Sequence, residues 1–179
     1  MGRLREKGMV VIGLVVLGLG GFGCREAPAP EAEAPPPLTT LYLVRHAEKA
    51  DDGTDDPPLT EAGQARAERL AAMLREAGID AIYATRYRRN QETVAPLAEA
   101  LGLAVTTHEV QGAALADTLL ARHAGGDVVV VGHSNTVPWL LNALVGEARY
   151  DQLAEDDYGG LYVVTVAAPG RADVALLRF

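Results

Sequence analysis

The stretch that most constrains this chain is Leu41-Tyr42-Leu43-Val44-Arg45-His46-Ala47-Glu48, an apolar run that stops on an arginine and a histidine. Such a run, bounded by polar residues, reads as a strand buried on both faces, with Arg45 and His46 where the chain leaves the core. Sites in open α/β sheets lie at that carboxyl edge. There an aimed imidazole beside the planar donor fork of a guanidinium suits a phosphoryl group held next to a nucleophile. An Arg-His pair at a strand end is nevertheless more often a solvated edge than a site. The remainder of the chain has to decide.

A second apolar strand, Asp127-Val128-Val129-Val130-Val131, also runs into a histidine, in Gly132-His133-Ser134-Asn135-Thr136. A helix follows through Trp139, Leu140 and Leu144, and its start would offer free N–H groups and positive partial charge to an anion. Two buried strands ending in histidine are poorly explained as coincidence. Between them, Thr60 is a plausible N-cap for a helix carrying Ala67, Leu70, Ala71 and Leu74, which Gly78 ends. Ala81–Ala84 is a short strand that delivers Thr85-Arg86-Tyr87-Arg88-Arg89 to a loop. The next helix carries Val94, Leu97, Ala98 and Leu101, with Pro96 marking a kink or a late start. Leu103–Thr107 reads as a third strand ending at His108-Glu109, and a helix from about Ala113 places His123 in its last turn as a dipole partner. Leu161–Ala167 and Val174–Phe179, joined by Pro169-Gly170, read as an antiparallel hairpin at one edge. The alternation of strands and helices predicts an α/β three-layer sandwich with a mainly parallel sheet.

With 179 residues, 49% hydrophobic and 22% charged, the chain has enough material for one globular domain. Its formal net charge of −8 argues against a nucleic-acid partner, since binding a phosphate backbone needs a basic surface. A phosphate site here must be a local positive pocket in a negative field. The acidic loop Asp51–Asp56 lacks the glycine and final glutamate of a calcium loop, and His46 and His133 lack a close paired spacing. No metal and no cofactor are expected.

The first 23 residues read as an export signal: Arg3, Arg5 and Lys7, then an apolar run from Met9 to Phe22 with small residues at its end. That run is shorter than the ~18 residues of a spanning helix. Cys24, the sole cysteine, follows at once in Gly-Phe-Gly-Cys, which resembles a bacterial lipobox, although Gly21 and Phe22 replace its usual leucine and small residue. Lipidation of Cys24 and anchoring in a bacterial cell envelope are therefore expected. Residues 24–38, rich in Ala, Pro and Glu, read as a semi-extended tether to a folded domain at 39–179.

Arg45-His46-Ala47-Glu48, taken with Pro58-Leu59-Thr60-Glu61-Ala62-Gly63 and Val131-Gly132-His133-Ser134-Asn135-Thr136, resembles the histidine phosphatase superfamily, which also contains cofactor-dependent phosphoglycerate mutases. The resemblance runs from about Leu41 to the C-terminus. It implies that His46 is phosphorylated, that Arg45, a second arginine and His133 hold the phosphoryl group, and that a carboxylate protonates the leaving group. The family's arginine segment matches the spacing of Thr85–Thr93 and selects Arg89 over Arg86 and Arg88, with Thr85-Arg86 replacing its usual Ser-Pro. Glu109 occupies the region of the acid. The implied activity is hydrolysis of a phosphomonoester, on a phosphorylated small molecule or a phosphoprotein. A mutase-type phosphotransferase is one alternative, disfavoured by the short segment between Arg89 and Glu109, and a non-catalytic phosphate-binding lipoprotein is another.

Overall fold

The computed structural model describes residues 36–179, so the predicted signal, Cys24 and most of the predicted tether lie outside the described residues. In order come β1 (Thr39–Arg45), α1 (Glu61–Leu74), β2 (Ala81–Ala84), α2 (Arg88–Leu101), β3 (Val105–Thr107), α3 (Gly112–Arg122), β4 (Asp127–Gly132), α4 (Thr136–Val145), β5 (Gly160–Ala168) and β6 (Arg171–Arg178). The strands form one sheet in the order β3-β2-β4-β1-β5-β6. β1 to β4 are parallel, and β5 and β6 close one edge as an antiparallel hairpin.

The period of two in the apolar runs separates the layers. Leu41, Leu43, Val128 and Val130 face Leu115, Leu119, Leu140 and Leu144 of α3 and α4. Val44, Ile82, Val129 and Val131 face Leu70, Leu74, Val94 and Leu97 of α1 and α2. β1 and β4 are thus covered on both sides, as continuous apolar strands must be. The result is a three-layer α/β sandwich.

Some boundaries differ from the sequence reading. β3 begins at Val105 because Gly102 takes a left-handed φ of 65° and the Leu103 N–H closes α2 on the Ala98 carbonyl. α2 starts at Arg88 and runs through Pro96, which gives up only its own backbone hydrogen bond. β6 starts directly after the Pro169-Gly170 turn, three residues earlier than predicted, while Phe179 lies beyond it and donates to the Gly159 carbonyl.

One row across the sheet positions the site. Val44 is in register with Val131, Val131 with Ala84, and Ala84 with Thr107. The residues that follow are Arg45-His46, Gly132-His133, Thr85-Arg86 and His108-Glu109. All four parallel strands therefore end at one edge.

Candidate active site

At this edge lies a cleft of about 580 Å³, lined on the strand side by Arg45, His46, Thr85, Arg86, His108, Glu109 and His133. Arg89 reaches it from α2, and Ser134, Asn135 and Thr136 from the start of α4. Arg45, His46, Arg89, His133 and Glu109 are brought together. Arg88 instead pairs with Glu92 at 2.6 Å on an exposed face.

His46 is 4% exposed, and its backbone N–H donates to the Gly132 carbonyl at 2.9 Å. Its Nδ1 lies 2.8 Å from the Ala47 carbonyl, which can only accept, so Nδ1 carries the proton and Nε2 keeps its lone pair. Burial, followed by the positive fields of Arg89, His133 and Arg45, lowers its pKa to about 3, against the opposing pull of the Ala47 carbonyl. His133 stands with its ring centroid 5.4 Å from that of His46. Burial and then Arg89, Arg45 and His108 lower its pKa to about 4, and its Nε2 lies 3.1 Å from the Thr85 hydroxyl. Both imidazoles are neutral at pH 7.

Both arginines are held from behind. Arg45 Nη1 donates to the carbonyls of Ala154 at 2.6 Å and Asp157 at 3.2 Å. The Arg89 guanidinium lies 4.5 Å from the Tyr87 ring, with Asp56 3.9 Å from Nη1. The Nε–H of each is buried with no acceptor among the described residues. An unpaired buried donor costs about 1–3 kcal/mol, which an anionic oxygen entering the site would relieve. Two cations and two neutral imidazoles thus face one space.

The surroundings explain the spacing. Thr93 Oγ1 accepts from Ala47 N–H at 2.9 Å and donates to the Arg89 carbonyl at 2.7 Å, joining the nucleophile's turn to the arginine's. Asn90, fully buried, donates through Nδ2 to the Gly132 and Val131 carbonyls. A Cβ on Gly132 would stand 2.7 Å from Thr136 Oγ1, so only glycine lets α4 begin this close to β4. Glu48 accepts from Arg66 Nε and Nη2, which holds its carboxyl below the usual range. It anchors the loop and does not line the cleft.

Glu109 lines the cleft, exposed, one residue after His108. His108 Nδ1 donates to the Val110 carbonyl at 2.9 Å. His123, expected to serve the α3 dipole, instead hydrogen-bonds the Tyr83 hydroxyl through Nε2 at 2.9 Å. Asp56 accepts the Arg88 N–H at 2.8 Å, so the acidic loop helps to start α2. Among the described residues, no three His, Cys, Asp or Glu side chains group as a metal site. The sequence reading assigns no role to Asn90 and Thr93, although both lie in the Thr85–Thr93 segment, and does not name Tyr158. The buried-face position of Asn90 and Thr93, on the helical face of Val94 and Leu97, was the available signal for the first two.

Residues 41–110 match the family model of the histidine phosphatase superfamily, branch 1. That segment holds Arg45, His46, Arg89 and Glu109, and the match supports this superfamily. A comparison with curated proteins gives no match. Among solved structures, a mycobacterial glucosyl-3-phosphoglycerate phosphatase is 17% identical with a TM-score of 0.65, over 79% of this chain and 99% of its own. The protein histidine phosphatase SixA, complexed with tungstate, is 17% identical with a TM-score of 0.63, over 78% and 96%. SixA from Agrobacterium tumefaciens is 25% identical with a TM-score of 0.60, over 79% and 98%. These structures share this chain's fold over about four-fifths of its length.

Proposed function

We propose that this chain is a phosphatase that hydrolyses a phosphomonoester through a phosphohistidine on His46, without a metal. The observation that carries the reading is the His46 ring. Its Nδ1–H is committed to the Ala47 carbonyl, which leaves an uncharged Nε2 beside the buried Arg45 and the half-buried Arg89. Nε2 attacks phosphorus in line as the bond to the leaving oxygen breaks, and Glu109 gives that oxygen its proton. Arg45, Arg89 and His133 stabilise the charge that spreads over the equatorial oxygens. Water then attacks the phosphohistidine, breaking the N–P bond, with its proton passing to the Glu109 carboxylate. Phosphate leaves and His46 is restored.

The family match and the phosphatases among the structural relatives support the reaction class. Substrates on this reading are phosphate esters of small molecules or of proteins; with a phosphohistidine protein the leaving atom that Glu109 protonates would be nitrogen. We also propose that Cys24 is acylated and tethers the domain to a bacterial envelope membrane, on the placement of the sole cysteine after an apolar run.

Rapid acid-free quenching during turnover of p-nitrophenyl phosphate should trap an acid-labile, alkali-stable phosphate on His46. His46→Ala should form none and lose at least about 10³-fold in kcat. Normal turnover by that variant would overturn the assignment.

A further inference from the structure

The segment between α4 and β5 runs beside the site, where it meets Arg45 and Ser134 and places Glu155 on the cleft. Asn142 fastens its start by accepting from the N–H groups of Arg149 and Tyr150, and the Leu153 N–H donates to the Ser134 carbonyl at 2.9 Å. Its other end is pinned where Phe179 donates to the Gly159 carbonyl. Between these points the carbonyls of Ala154 and Asp157 take Arg45 Nη1, and the Arg45 guanidinium carbon lies 4.2 Å from the centre of the Tyr158 ring. The same ring lies 6.0 Å from that of His46. Tyr158 does not line the cleft.

We propose that Tyr158 is a positioning residue: its ring fixes the plane of the Arg45 guanidinium so that the unpartnered Nε–H points at the phosphoryl group, while Nη2 lies 3.6 Å from Glu155 Oε2. The proposal rests on the phosphatase reading for its catalytic consequence. Two carbonyls hold Nη1, but Nη2 has only the exposed Glu155 carboxylate at 3.6 Å, a weak restraint that leaves the plane loosely fixed. An aromatic face removes that looseness, because a guanidinium stacks on it through its whole plane. Lysine has no plane to orient. The coupling is therefore specific to arginine at position 45.

The test uses Tyr158→Leu, Tyr158→Phe and each of them combined with Arg45→Lys, with melting temperature as the control for folding. Inorganic phosphate affinity by calorimetry and kcat/KM on p-nitrophenyl phosphate are the readouts. Tyr158→Leu should weaken phosphate binding and lower kcat/KM by about tenfold each. Tyr158→Phe, which keeps the ring, should recover both to within about twofold, and in the Arg45→Lys background Tyr158→Leu should add less than about twofold. Unchanged phosphate affinity in a folded Tyr158→Leu protein, or an equal loss with lysine at position 45, would overturn the proposal. Wild-type protein that binds phosphate but hydrolyses nothing would overturn the phosphatase reading instead, and the affinity measurements would still decide the role of Tyr158.

Discussion

An imidazole is a nucleophile only while a ring nitrogen keeps its lone pair, and this chain secures that by burial. His46 sits with a pKa of about 3, depressed first by desolvation and then by Arg89, His133 and Arg45, and His133 sits at about 4. In the unfolded chain both return to about 6.5. Between pH 3 or 4 and pH 6.5 the unfolded chain therefore binds protons that the folded one refuses. Stability rises with pH across that window and is level above it with respect to these groups, at up to about 1.4 kcal/mol per pH unit for each imidazole. Urea unfolding at pH 5 and pH 7 should show lower stability at pH 5, and His46→Gln, which cannot titrate, should shrink the difference. An undiminished difference in the variant would mean that His46 is not held neutral by the fold. The same burial keeps the nucleophile competent in mildly acidic surroundings.

At the scale of elements, the site depends on how closely α1 approaches the turn after β1. The Thr60 N–H donates to the Glu48 carbonyl, and a Cβ on Gly63 would stand 2.3 Å from that same oxygen. The obstacle is backbone, so no rotamer relieves it. Gly63→Ala should lower the free energy of unfolding by about 3 kcal/mol in urea titrations, at the upper end of overpacking effects. Gly53, with φ of 76° and no atom near its Cβ, is the control: alanine there meets only backbone strain, about 1 kcal/mol. Equal costs at the two positions would refute the close-approach account. The comparison also marks what the sequence made legible. Strands and helices announced themselves through periods of 2 and 3.6, and both histidines through the abrupt ends of apolar runs. Arg89 was singled out only by the resemblance to the family's arginine segment, and Thr93, four residues on, accounts for that segment's spacing by bonding to both Ala47 and Arg89. Tyr158 gave no local signal, because its role arises only when Arg45 meets a segment 109 residues away. Glu48 stood in the recognised segment without a role until α1 supplied Arg66.

At the scale of the whole molecule, a net charge of −8 surrounds a cleft lined by Arg45, Lys49, Arg86 and Arg89 against two carboxylates, Glu109 and Glu155. A small phosphate is attracted at short range, while an anionic lipid surface is repelled by the protein as a whole. Attachment to such a surface cannot then come from electrostatic adsorption of the domain. None of the described helices is long and apolar enough to cross a membrane. On the proposed arrangement the burden falls on acylated Cys24. Membranes from cells producing the full chain should retain it through a wash in 1 M salt and release it in detergent, since acyl chains are held by hydrophobic burial and not by charge. Cys24→Ser should move the protein to the soluble fraction. Its kcat/KM should stay within about twofold of the wild type, because the residues of the site lie between Arg45 and Tyr158 in the sequence and Cys24 is not among them. Retention of the serine variant on membranes would show that the apolar run from Met9 to Phe22 stays in place as an uncleaved anchor, and that the cysteine is incidental.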